Sequence, residues 1–420
     1  MSYRSNALAL ALACACSMRA VESVRLADLI PEALANNREV LAAQKRYEAA
    51  RQRPLPARSL PDPIVSVGYA SNGGPLPGQG LGSNPTSNIG VMISQELPYP
   101  GKRKLRGDIA VKDAEAEFEQ YQATALSVRS RVIQAFHRLH HTWAALEILT
   151  RGKEVVATLI RAAEARYTAG KTMQQEIFRA QTQLSILETR IIRMEEDRRS
   201  AEAEINSLLN RAPGSPLGEP LRTEPSPLSI TVEELLARSA DMAPELKRDE
   251  AMIQRGELGV NLARKEFRPD YTIAAGYFNQ GGMAPMYQLR VDIPIRLHAE
   301  SRQRPALNEQ VDLLAEARRN FEAAEQALQF RVRDAYIAAE TAWRLRSLYA
   351  DTILPQMQLT VDSSLAAYQT GGTDLAAVLN NVAARVDAEE QVHEQELNYA
   401  LALARLEEMT GVELAKGETR

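Results

Sequence analysis

Apolar and polar positions along the chain follow two different periods. In the sharpest short segment, Tyr287, Leu289, Val291 and Ile293 share one side, while Gln288, Arg290 and Asp292 share the other. Successive side chains of a strand point to opposite faces, so this pattern predicts a strand with one apolar and one charged face. Residues 271–278 behave alike, with Tyr271, Ile273, Ala275 and Tyr277 in phase. So do residues 89–97, through Ile89, Val91, Ile93 and Gln95, and residues 64–69, through Val65, Val67 and Tyr69. Elsewhere the spacing changes to alternating fours and threes, as in Val132, Phe136, Leu139, Trp143, Leu146 and Thr150. No proline occurs between Gly101 and Pro213. One helix over 104–166 is therefore predicted, about 90 Å long at 1.5 Å per residue. A helix of that length needs neighbours along its whole course. A cytosolic coiled coil would satisfy that need as well, but it leaves the strands at the head of each helix unexplained.

The pattern occurs twice. Arg131-Val132-Ile133-Gln134-Ala135-Phe136 returns about 200 residues later as Arg331-Val332-Arg333-Asp334-Ala335-Tyr336. Trp143 falls on Trp343, Tyr167-Thr168-Ala169-Gly170 on Tyr368-Gln369-Thr370-Gly371, Gln95-Glu96-Leu97-Pro98 on Val291-Asp292-Ile293-Pro294, and Pro61-Asp62 on Pro269-Asp270. Matches in one order at nearly one shift indicate duplication, with a period too long for a solenoid. Each half predicts a helix (26–53 and 232–266), two strands, a very long helix, a glycine turn and a returning helix. Gly170 and Gly371 end their helices by allowing a left-handed cap. The halves meet in a Pro/Gly-rich stretch, 212–229, that cannot be helix interior. The expected organisation is an export signal over 1–20, repeat 1 over 25–211, a linker over 212–230 and repeat 2 over 231–415. Pro355 has no counterpart in repeat 1 and predicts a local kink.

Composition narrows the function. Aromatic residues are 5%, charged residues 25%, and the net charge is −4. Basic residues are spread along helices rather than gathered in a patch, so no nucleic-acid surface is indicated. Arg4, the apolar run 7–16 and the small residues before 20 fit a secretory signal; a loose start or first helical turn is the plainer alternative. Both cysteines, Cys14 and Cys16, lie in that segment, so cleavage after Ala20 leaves no thiol. Cys16 could instead be lipidated, although a leucine three residues before it is missing. No apolar run reaches the roughly 18 residues of a membrane-spanning helix. If the chain crosses a membrane, it must do so as part of a closed β-barrel. Alternation alone does not separate a lipid-facing strand from a half-buried soluble one. Four strands cannot close a barrel, since known ones begin near eight, so closure calls for further copies; three chains give twelve strands.

The order and spacing of these features resemble the TolC-type outer-membrane efflux factors. The likeness is carried by the duplicated strand–strand–long-helix unit, the two Tyr-x-x-Gly tips (166–171 and 368–373), and Pro98-Tyr99-Pro100-Gly101-Lys102-Arg103 after the second strand. It covers roughly residues 25–415 and is similar in its Pro-Tyr-Pro-Gly-Lys-Arg segment to the cobalt-zinc-cadmium and copper-silver branch. The resemblance implies a mainly α fold with a small β part. Long helical hairpins would form a trimeric α-barrel tunnel, and four antiparallel strands per chain would join a shared 12-stranded transmembrane barrel. It further implies a homotrimer in the outer membrane with its tunnel in the periplasm, docked to a periplasmic adaptor and an inner-membrane pump.

The candidate functional residues follow. Asp374, with Gln174 and Gln175 at the first tip, would ring the periplasmic entrance; an N-cap role for Asp374 is the competing reading. Tyr167, Gly170, Lys171, Tyr368, Gly371 and Gly372 are expected adaptor contacts. Pro98, Pro100, Gly101, Lys102, Arg103 and Pro294 mark the junction of barrel and tunnel, with Lys102 and Arg103 facing lipid headgroups or simply solvated. Tyr287, Leu289, Val291 and Ile293 are the expected lipid-facing residues. His137, His140 and His141 have a metal-compatible spacing, set against ordinary packing in a helix wall. No HExxH, P-loop or Gly-x-Ser-x-Gly motif is present, so neither enzyme activity nor a cofactor is expected. A secreted coiled-coil scaffold without transport is the alternative function. A periplasmic adaptor is a third, disfavoured by the second hairpin.

Overall fold

The computed structural model describes residues 23–72, 74–221, 224–412 and 414. The expected export signal, with Cys14 and Cys16, lies outside them. Repeat 1 runs α1 (Leu26–Asn36), α2 (Arg38–Ala50), α3 (Pro54–Arg58), β1 (Ile64–Ala70), β2 (Asn88–Leu97), α4 (Lys102–Thr168) and α5 (Gln174–Leu208). Repeat 2 runs α6 (Val232–Met242), α7 (Pro244–Lys265), β3 (Tyr271–Asn279), β4 (Met286–Asp292), α8 (Gln303–Leu348), α9 (Leu354–Thr370) and α10 (Leu375–Thr410). The protein is thus mostly helical, with one small antiparallel sheet and a duplicated order of elements.

Two predicted helices are each broken in the same place. The helix expected over 26–53 stops at Asn37, whose Oδ1 accepts from the Glu39 and Val40 N–H groups at 2.9 and 3.4 Å. That side chain starts α2 as an N-cap, and its amide also donates to the Leu208 carbonyl at 3.0 Å. The helix expected over 232–266 breaks at Ala243 because Pro244 opens α7, and proline is favoured at a helix's first position. The second long helix is interrupted by a π turn, Tyr349–Ile353, directly before Pro355. Proline has no N–H to continue the ladder, which accounts for the irregular turn there.

The sheet has the order β1-β2-β3-β4, so each repeat supplies a hairpin and β2 pairs β3 across the repeats. Its register aligns one face throughout. Val67 sits opposite Val91, Val91 opposite Tyr277, and Tyr277 opposite Tyr287. Val65, Ile93, Ala275 and Leu289 form the neighbouring row. The other face is mixed: Ser66, Met92, Gly276 and Gln288 lie in one row, Ile64, Ser94, Ala274 and Arg290 in another, and Gly68, Gly90, Phe278 and Met286 in a third. The apolar row is not covered by the chain's own helices. Val67 is 75% exposed and Leu289 75% exposed, and Val65, Val91, Ile93, Tyr287 and Val291 are also exposed. Strand β4 ends at Asp292, so Ile293 lies one residue beyond it, exposed.

α4 is 67 residues long, about 100 Å at the helical rise. Its mid-part packs on α1 and the end of α5 through Val128, Val132, Phe136, Leu139 and Ile205. Its distal part packs on α5, α9 and α10 through Leu149, Val156, Leu187, Val361, Leu375 and Val382. Ion pairs stitch the repeats: Arg190 binds Asp387 at 2.7 Å and also Glu390, and Arg151 binds Glu389. No described helix is long and apolar enough to cross a membrane.

Candidate functional site

The predicted site residues gather at two opposite ends of the helical body. At the far end, the hairpin tips share one construction. Gly170 has φ 68° and Gly371 φ 82°, a left-handed conformation that costs a side-chain-bearing residue far more than glycine. The Lys171 N–H donates to the Arg166 carbonyl and the Gly372 N–H to the Ala367 carbonyl, both at 2.8 Å. These six-to-one bonds satisfy the last carbonyls of each helix and reverse the chain.

The two tips differ in their side chains. Asp374 caps α10, its Oδ1 accepting from the Ala377 N–H at 2.9 Å, and it stays exposed. Its structural counterpart at the first tip is Met173, which precedes α5 without a side-chain cap. Gln174 and Gln175 therefore sit one and two positions further along, exposed, and not in register with Asp374. Met173 itself is 74% exposed. A lone methionine in a cap position was the available sequence signal for it.

The tyrosines also part company. Tyr167 is exposed, as is Lys171, but Tyr368 is buried. The Arg166 guanidinium lies 4.6 Å over the Tyr368 ring and donates to the Tyr368 carbonyl at 2.6 Å. Burial and the neighbouring Glu176 charge push the Tyr368 hydroxyl above its usual pKa. Tyr368 thus binds tip to tip within one chain and offers no contact surface, which corrects the expectation for that residue. Arg166, the residue that clamps it, carried no sequence signal beyond its charge.

At the sheet end, the predicted junction residues meet. Pro98, Pro100 and Gly101 turn the chain from β2 into α4, with Gly101 at φ 92°. Arg103 lies partly exposed at this turn, and Pro294 follows β4. Lys102 is neither lipid-facing nor solvated. Its side chain has no exposed surface, and its ammonium donates to Glu266 Oε2 at 2.8 Å, the Arg268 carbonyl at 2.9 Å and Asp270 at 3.1 Å. Asp270 also accepts from the Tyr99 N–H at 2.7 Å, and Arg106 reaches Glu266 at 3.3 Å. A lysine can be buried only with such partners, since an isolated buried charge is prohibitive. Two repeats and both element types are tied together here.

Burial works to raise the Asp270 pKa, but the Tyr99 N–H, the Lys102 bond and charge, and the Arg106 charge outweigh it and hold the carboxyl below its ordinary value of 3.8. A carboxyl lowered in the folded state stabilises above its unfolded pKa and loses that contribution as pH falls through the folded one. Acid unfolding of the wild type should accordingly steepen below about pH 4, and Asp270→Asn should flatten that limb. An unchanged acid limb in urea titrations at stepped pH would contradict it.

No cluster of three or more metal-ligating side chains occurs among the described residues, the three histidines included. His137 packs edge-on to Phe136, 5.6 Å between rings, and burial followed by the His140 charge lowers its pKa to about 4. A neutral packed imidazole in a helix wall is the outcome.

A thin four-stranded sheet with one exposed apolar face is joined to paired helical hairpins. Residues 29–211 match the family described as outer membrane efflux protein. The fold matches VceC, an outer membrane protein of Vibrio cholerae, with a TM-score of 0.77, 16% identity, and coverage of 92% of this chain and 96% of that one. It also matches CusC, with a TM-score of 0.75, 17% identity and 92% coverage of each chain. Among curated proteins, the fusaric acid resistance protein FusA of Burkholderia cepacia is 23% identical over 61% of this chain. The chain spans about half the length of that relative, 48%. The family match thus covers repeat 1, and the fold shared with VceC and CusC extends over 92% of the chain.

Proposed function

We propose that this chain is the outer-membrane exit duct of a tripartite efflux system, a passive, non-enzymatic channel closed by three identical copies. The observation that carries this reading is the register of the sheet: four strands, one continuous exposed apolar face, and open edges at β1 and β4. In lipid each unpaired backbone group costs several kcal/mol, so the edges need partners. Three copies would close twelve strands around the opposite face, which carries Ser66, Ser94, Gln288 and Arg290, with helices reaching into the periplasm. The division into an export signal (1–20), repeat 1 (25–211), linker (212–230) and repeat 2 (231–415) belongs to the same reading.

The exposed tip residues Tyr167, Gly170, Lys171, Gly371 and Gly372, now with Met173, are the surface for a periplasmic adaptor, which links the duct to an inner-membrane pump. Asp374 combines a cap with a charge at the entrance. Two substitutions separate these roles. Asp374→Asn should keep much of the cap and alter cation selectivity in planar bilayers. Asp374→Ala should add a loss of about 1 kcal/mol of local stability. Identical conductance and selectivity for wild type and both variants would remove Asp374 from the entrance.

Metal ions and small toxic organic compounds are the substrate classes. The Pro-Tyr-Pro-Gly-Lys-Arg segment favours metals, and likeness to a fusaric acid resistance protein favours the organic class. Deleting the gene should sensitise cells to one of the two, with restoration from a plasmid copy. Unchanged sensitivity in a strain without a second such gene would overturn the efflux reading.

A further inference from the structure

We propose that a cleft beside the start of α4 is a binding site for an anionic phospholipid of the periplasmic leaflet. The inference rests on the reading that the sheet lies in the outer membrane. The cleft measures about 630 Å³ and is lined by Arg58, Leu60, Leu97, Tyr99, Arg103 and Lys104, among others. That volume is within the roughly 300–1,000 Å³ typical of small-molecule sites.

Its two halves have different chemistry. Leu97 ends β2 on the apolar face, opposite Tyr271, so the upper wall continues the surface assigned to lipid. Leu60 is 45% exposed and extends that wall. Below it stand three cations against one carboxylate. Arg58 is paired with Asp108 at 2.6 Å. Neither Arg103 nor Lys104 is paired with a carboxylate among the described residues, and both reach the surface. The first turn of α4 carries no acidic residue of its own, and Glu266 and Asp270 beside it are engaged by Lys102 and Arg106 rather than by Arg103 or Lys104. Lys265, 5.8 Å over the Tyr99 ring, adds a further positive charge next to the cleft.

An apolar wall above unpaired cations, with a tyrosine between them, matches the order of acyl chain, glycerol and phosphate in a phospholipid entering from the membrane side. A soluble anion would use only the lower half. A basic residue near an anionic bilayer surface strengthens attraction by about 1 kcal/mol, which is about fivefold.

The full-length protein, extracted and exchanged into phosphatidylglycerol or phosphatidylcholine nanodiscs, would be released and examined by native mass spectrometry for retained lipid. Phosphatidylglycerol should be retained in preference to phosphatidylcholine. Arg103→Gln or Lys104→Gln should each weaken that retention about fivefold, and the double substitution roughly 25-fold. Arg193→Ala/Arg199→Ala, which removes two exposed charges from α5, should leave it unchanged. Equal retention of both lipids, an effect of the α5 variant equal to that of the cleft variant, or full displacement by inorganic phosphate at matched concentration would overturn the assignment. A wild type that never partitions into outer-membrane fractions would instead sink the channel reading. A membrane-resident protein without the lipid preference sinks only this site.

Discussion

Leu289→Arg should abolish the stable oligomer, whereas Gln288→Arg, one residue away, should leave it intact. Leu289 is at the middle of β4, opposite Ala275, and points from the exposed apolar face. Gln288 faces the other way, opposite Gly276. An arginine at the midplane of a barrel's lipid face costs about 2–4 kcal/mol. A threefold assembly would carry that cost three times, which is comparable with the whole stability of many folded domains. On the opposite face, which already carries Arg290 and would line the barrel's interior, the same charge meets water. The readout is the heat-modifiable oligomer in outer-membrane fractions. Equal behaviour of the two variants would mean that the sheet does not lie in lipid, and the barrel argument would fail with it.

Lys102→Met should be the most damaging single change outside the sheet. It removes the cation between Glu266 and Asp270 and leaves both carboxylates facing a buried methylene chain. Breaking one side of a fully buried ion pair costs about 3–5 kcal/mol; the loss here should be smaller, because Glu266 and Asp270 are partly exposed and keep Arg106 and Arg296 nearby. Replacing the whole group should be milder, since an apolar or neutral set pays no such penalty. The triple variant Lys102→Met/Glu266→Gln/Asp270→Asn should therefore recover most of the loss in thermal unfolding. If the single and triple variants are equally unstable, packing rather than charge governs the site. Arg103→Met, at a partly exposed position, should cost little and serves as the neighbouring comparison.

Both expectations depend on knowing which residues face what, and the chain discloses that unevenly. Strand faces were legible because the period of a strand is two and a half-exposed sheet needs a uniform side. Val65, Val91, Tyr277 and Leu289 could be assigned to one face before any fold was known. The helix breaks at Asn37 and Ala243 were missed because capping is local and weak beside a continuing apolar pattern. The tips were legible as turns, since Gly170 and Gly371 admit a left-handed cap. Their side chains were not, because Tyr167 and Tyr368 match in sequence but only one lies beneath an arginine.

What the sequence determined alone was the repeated order of elements, the length of the first long helix and the strand faces. Each follows from periodicity or from the special backbones of glycine and proline, which act over a few residues. What only the tertiary structure decided was the burial of Lys102, the tip-to-tip contact of Arg166 with Tyr368, and the cleft beside α4. Those depend on groups far apart in the chain meeting in space. Glu266 and Asp270 lie more than 160 positions beyond Lys102. No local pattern records which distant carboxylate will neutralise a buried lysine.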